Sequence, residues 1–191
     1  MENKIKSLIN SRMRIGLLGG SFNPAHEGHR QISLAALERL RLDEVWWMVS
    51  PQNPLKARAG MAPLEHRLSA ARAVARHPRI RVTGIETMLG TRYTADTLRR
   101  LVRAFPRTKF VWLMGADNLS QIARWDRWQQ IFHAVVIAVF NRPTYCFKAL
   151  AGMAARRFAR RRLAASAAGQ LACKTPPAWV FLFTRLNPIS A

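Results

Sequence analysis

The stretch RIGLLGG, residues 14–20, is a short apolar run that stops on two glycines. It leads through a glycine- and histidine-rich loop into HRQISLAALERLRL, where apolar residues recur at helical spacing. Such a run reads as a buried strand, so the chain begins as strand, glycine loop and helix. EVWWMVS, starting at Glu44, is β-branched and aromatic and ends at Pro51, which makes it a second buried strand. Two strands with one helix between them pair in parallel through a right-handed crossover.

The alternation continues along the chain. PQNPLKARAGMAP is a polar, proline-containing loop, and PLEHRLSAARAVARH is a helix with Pro63 near its first turn. IRVTGIE is expected as a third strand and YTADTLRRLVRAF as a helix with Thr94 as N-cap. KFVWLMGAD reads as a strand ending at a glycine, WDRWQQIFHA as a short helix and VVIAVF as a strand. The Ala- and Arg-rich segment 147–174 has good helix propensity and is expected to form one or two basic helices. AWVFLFTRL is the expected last strand. The predicted class is α/β, a doubly wound and mainly parallel sheet in a single domain over 14–191, preceded by an N-terminal extension, 1–13.

The length, 191 residues, suffices for one core without disulfides or a structural metal. Cys146 and Cys173 form no CxxC or Cys/His motif, which argues against a zinc ribbon and fits a reducing cytoplasm. We read no signal peptide, and no apolar stretch approaches the roughly 18 to 20 residues of a membrane span. The net charge of +21 favours anionic partners, and no Asp or Glu follows Asp126. The run at 156–162 holds one aromatic, Phe158, and no recognised module. It reads as a solvated face with no specific nucleic acid implied. No feature fixes the oligomeric state.

The loop GGSFNPAHEGH, residues 19–29, follows the first strand, where open α/β sheets bind ligands. Glycines such as Gly19 let backbone amides approach a phosphate, and the following helix turns its positive end to the same place. The loop is neither a Walker loop nor GxGxxG, so His26 and His29 must supply the donors. A metal site is disfavoured because the other histidines lie on other elements and no carboxylate or cysteine has matching spacing.

With these residues in view, GGSFNPAHEGH resembles the signature of the nucleotidyltransferase superfamily that carries HxGH in a Rossmann-like fold. SPQNPLK before a helix containing Arg67, RYTADTL, WLMGADNL, ARWDRW and NPIS occur in the order seen in bacterial nicotinate-nucleotide adenylyltransferases. The resemblance spans about 14–140 and resumes near Pro188. It implies transfer of AMP from ATP to nicotinate mononucleotide, giving nicotinate adenine dinucleotide and pyrophosphate, with Mg2+ accompanying the triphosphate.

The resemblance also implies roles for individual residues. His26 and His29 would contact ATP phosphates over a floor of Gly20, Ser21 and Phe22, with Lys56 as a further phosphate ligand. Asp117, after Gly115 at a strand end, would accept from a ribose or cap the next helix. Thr94 and Trp125 match the region around the pyridine ring, and Asn23, on the mononucleotide side, stands where many relatives have Asp. Relatives continue an ISxxxIR-like segment whose serine and later arginine bind the triphosphate. Here Ser190 is present and the sequence stops at Ala191, before that arginine. ATP binding or turnover is expected to suffer if the protein ends there, and the site is merely incomplete in this sequence if a tail follows. Two alternatives remain: a nucleotidyltransferase with another phosphate acceptor, and a catalytically impaired relative that binds nucleic acid.

Overall fold

The computed structural model describes residues 12–51, 60–142 and 145–184. Its first half consists of β1 (Arg14–Gly20), α1 (Glu27–Arg39), β2 (Glu44–Val49), α2 (Leu64–Ala75), β3 (Ile80–Thr83), α3 (Ile85–Met88) and α4 (Thr94–Ala104). The second half follows with β4 (Lys109–Gly115), α5 (Ala116–Gln121), α6 (Trp128–Ala134), β5 (Val136–Phe140), α7 (Cys146–Ala151), α8 (Met153–Arg157), β6 (Arg162–Leu163) and β7 (Trp179–Leu182).

The strands form one sheet in the order β3-β2-β1-β4-β5-β7-β6, with every neighbouring pair parallel. The chain runs outward from β1 to β3, then returns to lay β4 on the other side of β1. The order therefore reverses between β1 and β4, and a crevice opens there beyond the carboxyl ends of the strands. The pleat divides the core into two layers. Trp46 and Met48 join Ile15 and Leu17 on one face, while Val45, Trp47 and Val49 join Leu18 on the other.

Four segments depart from the sequence reading. IRVTGIE is strand only to Thr83, because the Gly84 carbonyl accepts from the amides of Thr87 and Met88 and starts a helical turn. That turn buries Glu86 at the strand end. Thr94 is the first helical residue rather than the N-cap. Tyr93 occupies the cap position with extended backbone and no side-chain cap.

Trp125, Asp126 and Arg127 precede the helix instead of opening it, and Trp128 is its first residue: residues 122–124 form a 3-10 turn, and Arg127 at φ +48 breaks the chain direction before α6. The 147–174 segment is several short pieces. Gly152 separates α7 from α8 with extended backbone, and Phe158 stacks on Phe132 at 4.2 Å. Arg162 then pairs as an edge strand with Trp179. Tertiary packing of one aromatic and one strand partner overrides local helix propensity here. The five arginines of the run are exposed, as expected for a solvated face, and the Arg162 guanidinium lies 5.4 Å from the Trp179 ring centroid.

Candidate active site

The loop after β1 turns into α1 at His26, which holds the cap position with extended backbone. The His26 amide donates to Nδ1 of His29 at 3.3 Å. An imidazole that accepts at Nδ1 carries its hydrogen on Nε2, so His29 is set as a donor through that atom. The two rings lie 3.9 Å apart, and His29 also packs against Phe22 and Trp47.

Burial holds the His29 pKa down to about 3, with the neighbouring charges of His26 and Arg142 acting in the same direction. Burial and Arg142 also lower the His26 pKa, and its Nδ1 is enclosed without a hydrogen-bond partner among the described residues. Both imidazoles therefore act as neutral donors. The cationic form that the sequence also allowed is disfavoured by desolvation.

Behind this pair lies support that the motif does not announce. The Ser33 hydroxyl donates to the His29 carbonyl at 2.8 Å and accepts from Trp47 Nε1 at 2.7 Å. Phe22 sits at φ +47, a left-handed conformation that costs a bulky residue about 1–3 kcal/mol. Its ring is buried and stacks on Trp47 at 5.1 Å. Burying a phenylalanine is worth about 1.5–3 kcal/mol, which offsets that cost. Thus Phe22 is principally core, and it bends the loop by anchoring it.

Two glycines expected at the nucleotide have packing reasons as well. A Cβ on Gly19 would collide with the Trp112 ring, whereas one on Gly20 would make ordinary contact with Phe22. Gly115 is buried, and a Cβ there would collide with Asp117 Oδ1. Its bareness lets Asp117 fold back, leaving Oδ1 3.3 Å from Arg142 Nε. Asp117 is the second residue of α5, not its cap.

Arg67 ties the loops together. Its guanidinium, 2% exposed, donates to the carbonyls of Ser21 and Ser50 at 2.7 Å each, of Ala62 at 2.8 Å and of Pro51 at 3.1 Å. The sequence marked Arg67 only as a landmark. Asn23 likewise braces a loop: Nδ2 donates to the Gly60 carbonyl at 3.1 Å and Oδ1 accepts from the Ala62 amide at 3.3 Å. A carboxylate could make the second bond but not the first.

One cavity of about 860 Å3 takes in both halves of the expected site: Gly19, Gly20, Ser21, Phe22, Asn23, His26, His29 and Asp117, together with Thr94 and Trp125. Lys56 and Ser190 lie outside the described residues. Trp125 meets Trp112 edge-on, with centroids 6.5 Å apart, so it is both partly core and part of the wall.

The sequence reading overlooked Arg142 and Glu86, which also line the cavity. Arg142 lies two residues past β5, so its strand-end position was the available signal. Glu86 was assigned to a strand that ends three residues earlier. Burial pushes its carboxyl up to about 7, partly offset by a hydrogen bond from Ser50.

The Trp125 loop is clamped to the head of α4. Arg127 bonds Asp96 in bidentate fashion at 2.6 and 2.9 Å and also reaches Asp126 at 2.6 Å. The shared pair lowers the Asp96 pKa. Thr94 and Trp125 stand on the two clamped pieces; where they contact a pyridine ring, as the resemblance implies, Asp96→Asn is expected to raise KM for the substrate that bears it about three- to tenfold. Stability should change by no more than ~1 kcal/mol, as for an exposed ion pair. Steady-state kinetics beside thermal melts would check this.

Paired donors at a helix N-terminus, in a crevice at the sheet's switch point, define a nucleotidyltransferase site, and the cytidylyltransferase-like family matches residues 17–190. The chain is 56% identical over 170 residues to a probable nicotinate-nucleotide adenylyltransferase of Bradyrhizobium sp. (strain BTAi1 / ATCC BAA-1182), covering 89% of this chain and 88% of that protein. It is 54% identical over 179 residues to one from Methylorubrum extorquens (strain PA1), covering 94% and 97%. The chain belongs to the nicotinate-nucleotide adenylyltransferase family. Its fold also matches that of the Plasmodium falciparum nicotinic acid mononucleotide adenylyltransferase complexed with NaAD, at TM-score 0.68 and 15% identity, over 92% of this chain and 77% of that one.

Proposed function

We propose that this protein transfers AMP from ATP to nicotinate mononucleotide, releasing pyrophosphate, with His26, His29 and Arg142 on the triphosphate and Thr94 and Trp125 on the pyridine ring. The carrying observation is that the imidazole pair at the head of α1 and the Trp125 loop share one cavity. The acceptor's phosphate oxygen attacks the α-phosphorus, the bond to the bridging oxygen breaks, and pyrophosphate leaves. The nucleophile is already anionic, so no general base is required. The protein's part is alignment and stabilisation of the charge that builds on the phosphate oxygens. Neutral imidazole N–H groups and the α1 N-terminus donate, and Arg142 adds the positive charge.

Magnesium uses oxygen ligands, commonly one or two carboxylates plus substrate phosphates. Among the described residues no group of three His, Cys, Asp or Glu could hold a metal, and Asp117 already faces Arg142. This supports Mg2+ entering with ATP as part of the substrate. The free thiols of Cys146 and Cys173 suit the cytoplasm, and no helix among the described residues is long and apolar enough to cross a membrane. We read residues 14–191 as the nucleotidyltransferase domain.

Pyrophosphate release with MgATP tests the reading. Release with nicotinate mononucleotide should exceed that with the nicotinamide form at least tenfold. Release only with a different acceptor would overturn the substrate assignment.

A further inference from the structure

Among the described residues, four cavity-lining side chains carry a buried polar atom with no hydrogen-bond partner; His26 Nδ1 and Asp117 Oδ1 belong to the cluster around Arg142, which leaves Trp112 Nε1 and Glu86 Oε2. Trp112 Nε1 is a donor without an acceptor, and Glu86 Oε2 is an acceptor without a donor. Glu86 is 6% exposed, and among the described residues its carboxyl takes a hydrogen bond from Ser50. Leaving a carboxylate oxygen buried and unpaired is costly, and such atoms in native proteins call for an explanation. The fold does hold Glu86 in place: its backbone carbonyl accepts from the Thr91 amide at 3.0 Å and from the Thr91 hydroxyl at 3.4 Å. The Thr91 hydroxyl also pairs with that of Thr97 in α4 at 2.8 Å. The carboxyl is thus braced by the segment that carries Thr94.

Topology says which substrate it meets. Ser50 follows β2 and Glu86 follows β3, on one side of the β1 crevice, whereas Asp117 and Arg142 follow β4 and β5 on the other. The imidazoles and Arg142 occupy the triphosphate side. Glu86 is instead braced through Thr91 and Thr97 to the helix that begins at Thr94, to which the Arg127–Asp96 clamp also brings the Trp125 loop, so Glu86 lies on the acceptor's side. Above pH 7, where the Glu86 carboxyl is mostly ionised, it takes only donors. Nicotinate mononucleotide presents an anionic carboxylate, an anionic phosphate and a quaternised ring nitrogen. Its ribose hydroxyls are the donors it offers.

We propose that Glu86 binds a ribose hydroxyl of the acceptor mononucleotide, with Ser50 orienting the carboxyl. This rests on the functional reading above. A site built to receive a hydroxyl rejects an analogue lacking it strongly, because the buried acceptor is then left bare.

The test compares nicotinate mononucleotide with its 2′-deoxy and 3′-deoxy analogues in wild type, Glu86→Ala and Glu86→Gln, by kinetics and by calorimetric binding. Wild type should prefer the parent over at least one analogue by tenfold or more. In Glu86→Ala, KM for the parent should rise at least tenfold, KM for ATP should stay within about twofold, and the preference should collapse to near unity. Glu86→Gln, which keeps an acceptor oxygen in the same shape, should fall between. Both variants should melt no lower than wild type at pH 8, since each removes an unpaired buried carboxylate.

Folded variants that still reject the deoxy analogues as wild type does would overturn the proposal. So would a change confined to the ratio of nicotinate to nicotinamide forms, which would place Glu86 at the ring substituent. If wild type instead uses another ribose-bearing acceptor, the substrate reading fails, and the same deoxy comparison on that acceptor judges Glu86 separately.

Discussion

His29→Ala is expected to lower kcat at least about tenfold, equivalent to about 1.4 kcal/mol of transition-state stabilisation, and up to 10²–10³-fold if Nε2–H is a principal donor to the developing charge. The position of the ring supports a contribution this large. The ring is held at Nδ1 by the His26 amide and walled by Phe22 and Trp47, so the donor is already oriented. Single-turnover measurements at saturating substrates would read the chemical step. An unchanged rate in a folded variant would remove His29 from the phosphate site.

The same residue gives a pH signature. Its folded pKa, about 3, lies below the unfolded value of 6.5, so below pH 6.5 the unfolded chain binds the extra proton. Stability from this group is fully present above pH 6.5 and is lost as pH falls toward 3. Between pH 7 and 5 wild type should lose about 2 kcal/mol more than His29→Ala in urea unfolding.

Arg67→Ala is expected to be the most destabilising single change at the site. It leaves the carbonyls of Ser21, Ser50, Pro51 and Ala62 without their shared donor. Hydrogen bonds to a charged group are each worth about 1.5–3 kcal/mol, so a net loss of about 3–5 kcal/mol, or roughly 10 °C in Tm, is expected. Arg67→Lys should recover less than half of this, because an ammonium cannot span the four directions that a planar guanidinium reaches. Ser21 and Ser50 line the cavity, so KM for both substrates should rise with either change. A melting temperature within 2 °C of wild type for the alanine variant would refute the tether.

The strands were legible wherever local pattern and burial agree. RIGLLGG is β1 to the residue, and EVWWMVS differs from β2 only by Ser50. Legibility failed where packing acts against propensity. The 147–174 segment has helix-forming composition, yet Phe158 is drawn into the Phe132 stack and Arg162 into an edge pairing with Trp179. At the site, the motif residues could be named because loop spacing and backbone direction are local properties. Arg142 and Glu86 could not, because nothing within a few residues of either records that the sheet order carries them to the same cavity.

By itself, the sequence determined the alternation of strand and helix, the place of the glycine loop at a strand end and the pairing of His26 with His29 on one helix start. These follow from chemistry within about ten residues. Only the tertiary structure decided that His29 is a neutral Nε2 donor, that Asn23 and Arg67 brace the loops and that Glu86 is left with an unpaired buried oxygen. Each depends on desolvation or on hydrogen bonds between segments distant in sequence, and those arise only when the sheet brings the strand ends together.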